Sequence, residues 1–127
     1  MNKVAFNGMS ARGPHASLRW TIAGTELEAR KLQAVLSAVF DDYEIEDICV
    51  RCVHVWHGKN DAVVVELVTD AEIYELAAWE EETLRAAAIR LTDALPKLLE
   101  SATEFLTSTK VALEELNDEA GGRRVRA

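Results

Sequence analysis

Cysteine is nearly absent from this chain, with two in 127 residues, Cys49 and Cys52. The opening Met1, Asn2, Lys3, Val4, Ala5, Phe6, Asn7, Gly8 has neither an apolar core nor a cleavage-like site. So few cysteines with no leader argue against a disulfide-stapled secreted scaffold and predict a reducing, cytoplasmic setting. Long apolar runs are missing too. No stretch approaches the ~20 apolar residues that cross a bilayer, so no membrane role is expected. Acid is absent from the first 24 residues, which hold Lys3, Arg12 and Arg19 and so carry +3. No catalytic signature, phosphate-loop spacing or residue-level repeat stands out, so an enzyme is not expected and no cofactor is implied.

Acid dominates the rest. Residues 25–119 hold all 22 acids against eight bases, a local charge of −14, and Arg123, Arg124 and Arg126 return +3 at the end, for a net −8. Phosphate backbones repel a chain of this sign, so direct nucleic-acid binding is disfavoured. A basic protein partner suits it better, including one whose basic surface ordinarily holds nucleic acid. With 49% apolar residues the chain can bury a modest core as one domain. That domain is expected over residues 1–120, followed by a flexible basic tail at 121–127.

The pattern along the chain predicts an α+β fold, with a small, mostly antiparallel sheet of about four strands in the order β-β-α-β-β-α-α. Residues 4–7 suit a short strand. Gly8, Ser10, Gly13, Pro14 and His15 mark residues 8–16 as loop. Leu18, Trp20 and Ile22 then alternate as a strand that Gly24 ends. Thr25 and Glu28 form a capping box opening a helix whose Leu32, Val35, Leu36, Val39, Phe40 and Tyr43 share one face. Residues 48–56 and 62–68 read as two strands joined across Gly58, Lys59, Asn60 and Asp61. The nearly continuous apolar run of the second predicts a central strand covered on both faces.

Thr69 and Glu72 repeat the capping-box pattern and predict a helical region over 70–119. Its apolar seam runs Leu84, Ala88, Leu91, Leu95, Leu98, Ala102, Phe105, Thr109, Ala112, Leu116, in alternating steps of four and three. Pro96 interrupts this seam. With no glycine or asparagine nearby for a tight reversal, a bend between two helices near 93–96 is expected. As one straight rod the region would reach ~75 Å, too long for a small domain. The distal segment, 97–119, is therefore expected to pack on the chain's own sheet or on another subunit. Leu98, Ala102, Phe105, Thr109, Ala112 and Leu116 are its candidate homodimer contacts.

The metal-ligand residue types cluster at Cys49, Cys52, His54 and His57. Zinc needs such ligands to converge tetrahedrally, whereas this run is strand-prone. In an ideal strand Cys52, His54 and Trp56 share one face, while Cys49 and His57 share the other, too far away to bridge. Two buried structural thiols and two hairpin-end histidines are the expectation, with no metal; a Cys52–His54 nucleophile pair is the reactive alternative. Arg12 and His15, in the predicted glycine-containing loop, could meet an anion.

Two acidic segments are the candidate partner contacts. Asp41, Asp42, Glu44, Glu46 and Asp47 follow the first helix, where carboxylates oppose the helix dipole and so cost stability. Glu80, Glu81 and Glu82 sit beside Trp79, an aromatic of the type that anchors interfaces. In size, acidity and lack of catalytic residues the chain resembles small phage inhibitor proteins, anti-CRISPR proteins among them. That resemblance implies an inhibitor of a host nucleic-acid-handling system and carries no residue across. A non-enzymatic module that blocks a basic surface of a larger complex is the leading expectation. The alternative is a structural, assembly or chaperone-type protein whose helices dock a client.

Overall fold

A computed structural model describes residues 3–103 and 123–124. The architecture is α+β: a five-stranded antiparallel sheet, extended by one two-residue strand, with two helices. β1 (Val4–Arg12) and β2 (His15–Ala23) form one long hairpin with Arg12 opposite His15. The loop expected over 8–16 is therefore strand on both sides of a two-residue turn. The glycines do other work. Gly13, at φ 60°, takes the first central position of the turn. Gly8, at φ 95°, follows a bulge that leaves Asn7 out of register between Phe6 and Gly8. Positive φ marks bulges and tight turns as readily as loops, and composition alone does not separate them.

α1 (Glu26–Val39) begins at the expected capping box: the Glu28 amide donates to Thr25 Oγ1 at 3.2 Å and the Thr25 amide to Glu28 Oε1 at 3.0 Å. It buries Ala29, Leu32, Val35, Leu36 and Val39. Gln33 reaches from α1 to the backbone of β4 (Ile48–His57), donating to Val53 O at 2.8 Å and accepting from the Val55 amide at 2.7 Å. Those groups have no strand partner because the neighbouring β3 (Tyr43–Ile45) pairs only with Ile48 and Cys49. One glutamine thus closes an open sheet edge.

β5 (Ala62–Glu72) is the central strand, between β2 and β4. It runs further than the apolar pattern predicts. Thr69 is buried and donates to Ala16 O at 2.8 Å, and Glu72 pairs with His15. The second Thr-x-x-Glu is therefore strand, and no helix opens at residue 70. A short 3₁₀ turn, Ile73–Glu75, leads to α2 (Ala78–Thr103). The Ala77 amide donates to Glu80 Oε1 at 2.9 Å, half a capping box without the hydroxyl.

α2 continues as one helix through Pro96, in place of the expected pair meeting at a bend. Buried side chains flank the proline on both sides: Leu91, Ala94 and Leu95 before it, Leu98 and Leu99 after it. Thr92 adds a tie, accepting from Trp20 Nε1 at 2.9 Å. Tertiary packing outweighs the one hydrogen bond that the ring removes. The observed order is thus β-β-α-β-β-β-α. Arg123 and Arg124 make β6, antiparallel to Glu44 and Tyr43 on β3, so these two residues of the expected flexible tail extend the sheet.

One apolar cluster unites both helices with Leu18, Trp20 and Ile22 of β2, Val53 of β4, and Val63, Val65 and Leu67 of β5. By strand alternation the opposite sheet face carries Ser17, Arg19 and Thr21, Val64, Glu66 and Val68, and Cys52, His54 and Trp56. Among the described residues no helix is long and apolar enough to cross a membrane.

Candidate functional site

The two acidic segments meet. Ile45 and Glu46, in the β3–β4 hairpin, line one groove of ≈ 250 Å³ with Trp79, Glu82, Thr83, Ala86, Ala87 and Arg90 of α2. Trp79 is 51% exposed there. Glu46 holds φ 55°, a backbone strain that puts the turn where β3 and β4 need it. Thirty-odd residues of chain separate these carboxylates, and only the packing of α2 against β3 brings them together.

The remaining candidate charges have other places. Asp41, Asp42 and Asp47 are exposed, and Glu44 is half-buried on β3. Glu80 caps its own helix through the Ala77 amide. Glu81 pairs with Arg85 at 2.9 Å, one turn along. Only Glu82 of this run lines the groove. Of the candidate dimer contacts, Leu98 is buried in the chain's own core. Ala102 is the last but one residue of α2, while Phe105, Thr109, Ala112 and Leu116 lie outside the described residues.

The second concentration of polar chemistry is the open sheet face. Glu66, its side chain 0% exposed, accepts from Arg12 Nε at 2.7 Å, Arg19 Nε at 2.9 Å and Ser17 Oγ at 2.9 Å. Burial pushes its carboxyl up; the hydrogen bonds from Arg19, Arg12 and Ser17 and the Arg19 charge outweigh that and hold it below the usual carboxylate range. Arg19 also lies 5.6 Å over the Trp56 ring. Arg12 therefore faces an anion of its own chain and not an external one. Two signals in the sequence pointed here: a lone glutamate inside an apolar strand, and arginines in a segment with no acid of its own.

Cys52, His54 and Trp56 share this face as expected, with Cys52 Sγ 3.4 Å from His54 Nε2. Cys49 does not lie on the opposite face. The β4–β5 register shifts between Val50 and Cys52, so Arg51 is an extra residue, and the buried positions run Ile48, Val50, then Val53. Both cysteines consequently point away from the core, and both are free and exposed, not buried thiols. The Cys49 amide donates to Asp70 Oδ1 at 3.0 Å. His57 sits at the hairpin end, 3.1 Å from Asp61. Among the described residues no three His, Cys, Asp or Glu side chains converge where a metal ion could be held. No protein-family model matches this chain, and no curated protein or solved structure matches it significantly.

Proposed function

We propose that the chain is a non-enzymatic interaction module whose acidic groove receives a basic surface of a larger protein or nucleoprotein complex and blocks it. The observation that carries this reading is the junction of Glu46 with Trp79 and Glu82 in one groove. A half-exposed tryptophan between carboxylates supplies what an interface hot spot needs: a rigid apolar anchor and charges that steer and orient an oppositely charged partner. Arg90, in the same groove, makes the charge uneven and so favours one orientation of the partner. A partner whose basic surface ordinarily holds nucleic acid would be inhibited by such contact, the mode that the likeness to small phage inhibitors implies.

Capture from a lysate of the native host tests this reading with three proteins: wild type, Trp79→Ala, and Glu46→Asn combined with Glu82→Lys. Both variants are expected to lose captured partner about tenfold, corresponding to about 1.4 kcal/mol, without loss of thermal stability. Wild-type capture is expected to weaken as salt rises. Undiminished capture by both variants would overturn the reading.

One observation favours the structural or chaperone alternative. Ile89 is 70% exposed on α2 and lines an apolar groove of ≈ 380 Å³ with Phe6, Arg85, Thr92 and Asp93. Salt-insensitive capture that Ile89→Asp abolishes would select that role. In either role we propose that the chain pairs with a second copy through the seam of Phe105, Thr109, Ala112 and Leu116.

A further inference from the structure

We propose that Cys52 is a thiol–disulfide exchange site on the open sheet face, with His54 as its proton acceptor and a low-molecular-weight disulfide as its co-reactant. The geometry starts from the Arg51 bulge. Were Arg51 paired in ordinary alternation, Cys52 would stand on the core-facing side with Val50 and lose its present face. With it, Cys52 and His54 stand two residues apart on one side of β4, with Sγ and Nε2 3.4 Å apart, within the reach of a sulfur hydrogen bond. The thiolate is the nucleophile in thiol chemistry, and an adjacent imidazole is a group that generates it near neutral pH.

Charged groups surround the pair unevenly. On β4 itself Arg51 precedes Cys52, and Cys49 lies beyond it. On β5, Val68 stands directly opposite Cys52 and Glu66 opposite His54, with Asp70 two residues further along. Glu66 is held by Arg19 of β2 and Arg12 of β1. Asp70 and, from β3, Glu44 gather instead at Cys49, whose thiol lies 4.0 Å from Glu44 Oε1. Desolvation first, then the charges of Asp70 and Glu44, push the Cys49 thiol up. The two exposed cysteines therefore differ in chemistry, and Cys49 serves as an internal reference for Cys52.

The step balances without further reagents. Cys52 Sγ passes its proton to His54 Nε2 and attacks one sulfur of the disulfide. A new sulfur–sulfur bond forms, the original one breaks, and the departing thiolate takes the proton from the imidazolium. Cys52 is oxidised to a mixed disulfide while the small disulfide is reduced to one thiol. Three residues of extended chain, at ~3.3 Å each, exceed the ~7 Å Cα separation that a disulfide tolerates, so Cys49 does not resolve the adduct within the chain.

The test treats the full chain with oxidised glutathione and follows each cysteine by peptide mass. At about pH 7 Cys52 is expected to react at least ~10-fold faster than Cys49 and to accumulate as a stable single adduct. His54→Gln is expected to slow Cys52 by ~5-fold or more at that pH and to displace its rate–pH curve to alkaline values. The wild-type ratio of the two cysteines needs no variant and stands whether or not His54→Gln folds. Equal rates at the two cysteines, or a folded His54→Gln with an unchanged rate–pH curve, would overturn the proposal.

Discussion

Glu66 is a single carboxylate sealed into the middle of a sheet, and its partners are unequal to it in exposure. The Arg12 and Arg19 side chains keep 47% and 37% of their surface in water, whereas Glu66 keeps none. Removing the acid leaves two guanidiniums that water can solvate. Removing both arginines leaves a buried anion with only Ser17 to donate to it. Arg12→Ala with Arg19→Ala is thus expected to cost about 3–5 kcal/mol, and Glu66→Gln about 1–2 kcal/mol. Urea unfolding at neutral pH checks the order. The pH dependence has a defined sign. The folded carboxyl lies below that of an unfolded glutamate, about 4.3, so its contribution is complete above that value. It is lost as pH falls through the folded value. Urea midpoints of the wild type should therefore drop on acidification below about pH 4, and Glu66→Gln should drop less steeply. The double arginine variant should behave in the opposite way, its deficit shrinking in acid as Glu66 takes up a proton.

At the scale of elements, two copies of one local pattern met different fates. Thr25 and Glu28 cap a helix as their spacing requires, because the preceding Gly24 ends β2 and no strand competes for them. Thr69 and Glu72 have the same spacing, but Ala16 and His15 on β2 take the hydroxyl and the backbone that a cap would use. Local sequence carries the cap and not the competing strand. The Arg51 bulge was hidden for the same reason, since pairing register belongs to two strands at once. Periodicity did carry the α1 face, the hairpin of β4 with β5, and the apolar stripe of α2 from Leu84 to Leu98, all of which are local. Pro96 shows the balance within α2. Its ring removes the bond that residue 96 would donate to the Thr92 carbonyl, while the buried residues on either side keep the helix whole. Pro96→Ala is expected to restore that bond and stabilise the protein by about 1–3 kcal/mol, read as a higher urea midpoint with an unchanged slope. A lower midpoint would mean that the ring's geometry is what seats Leu98 and Leu99.

At the scale of the whole molecule, the candidate site was legible as two acidic segments and an aromatic but not as a place. Joining Glu46 to Trp79 and Glu82 takes the tertiary packing of α2 on β3, and two of the candidate carboxylates, Glu80 and Glu81, serve local ends. The apolar seam divides in a similar way. As far as Leu99 it is used up inside the chain, so Leu98 is not available to a second copy. The proposed pairing would then fall to Phe105, Thr109, Ala112 and Leu116, which lie outside the described residues. A charged residue on such a seam removes apolar burial and adds a desolvated charge, which a weak interface does not survive. Light scattering of the wild type is expected to give twice the chain mass of 14.1 kDa. Phe105→Glu with Leu116→Glu is expected to give a single chain mass and to retain wild-type cooperativity in urea, because the core residues of the sheet and of α2 are untouched. A wild type that stays at one chain mass across concentration, or a charged variant that still dimerises, removes the seam from the interface and leaves the groove to act from a single copy.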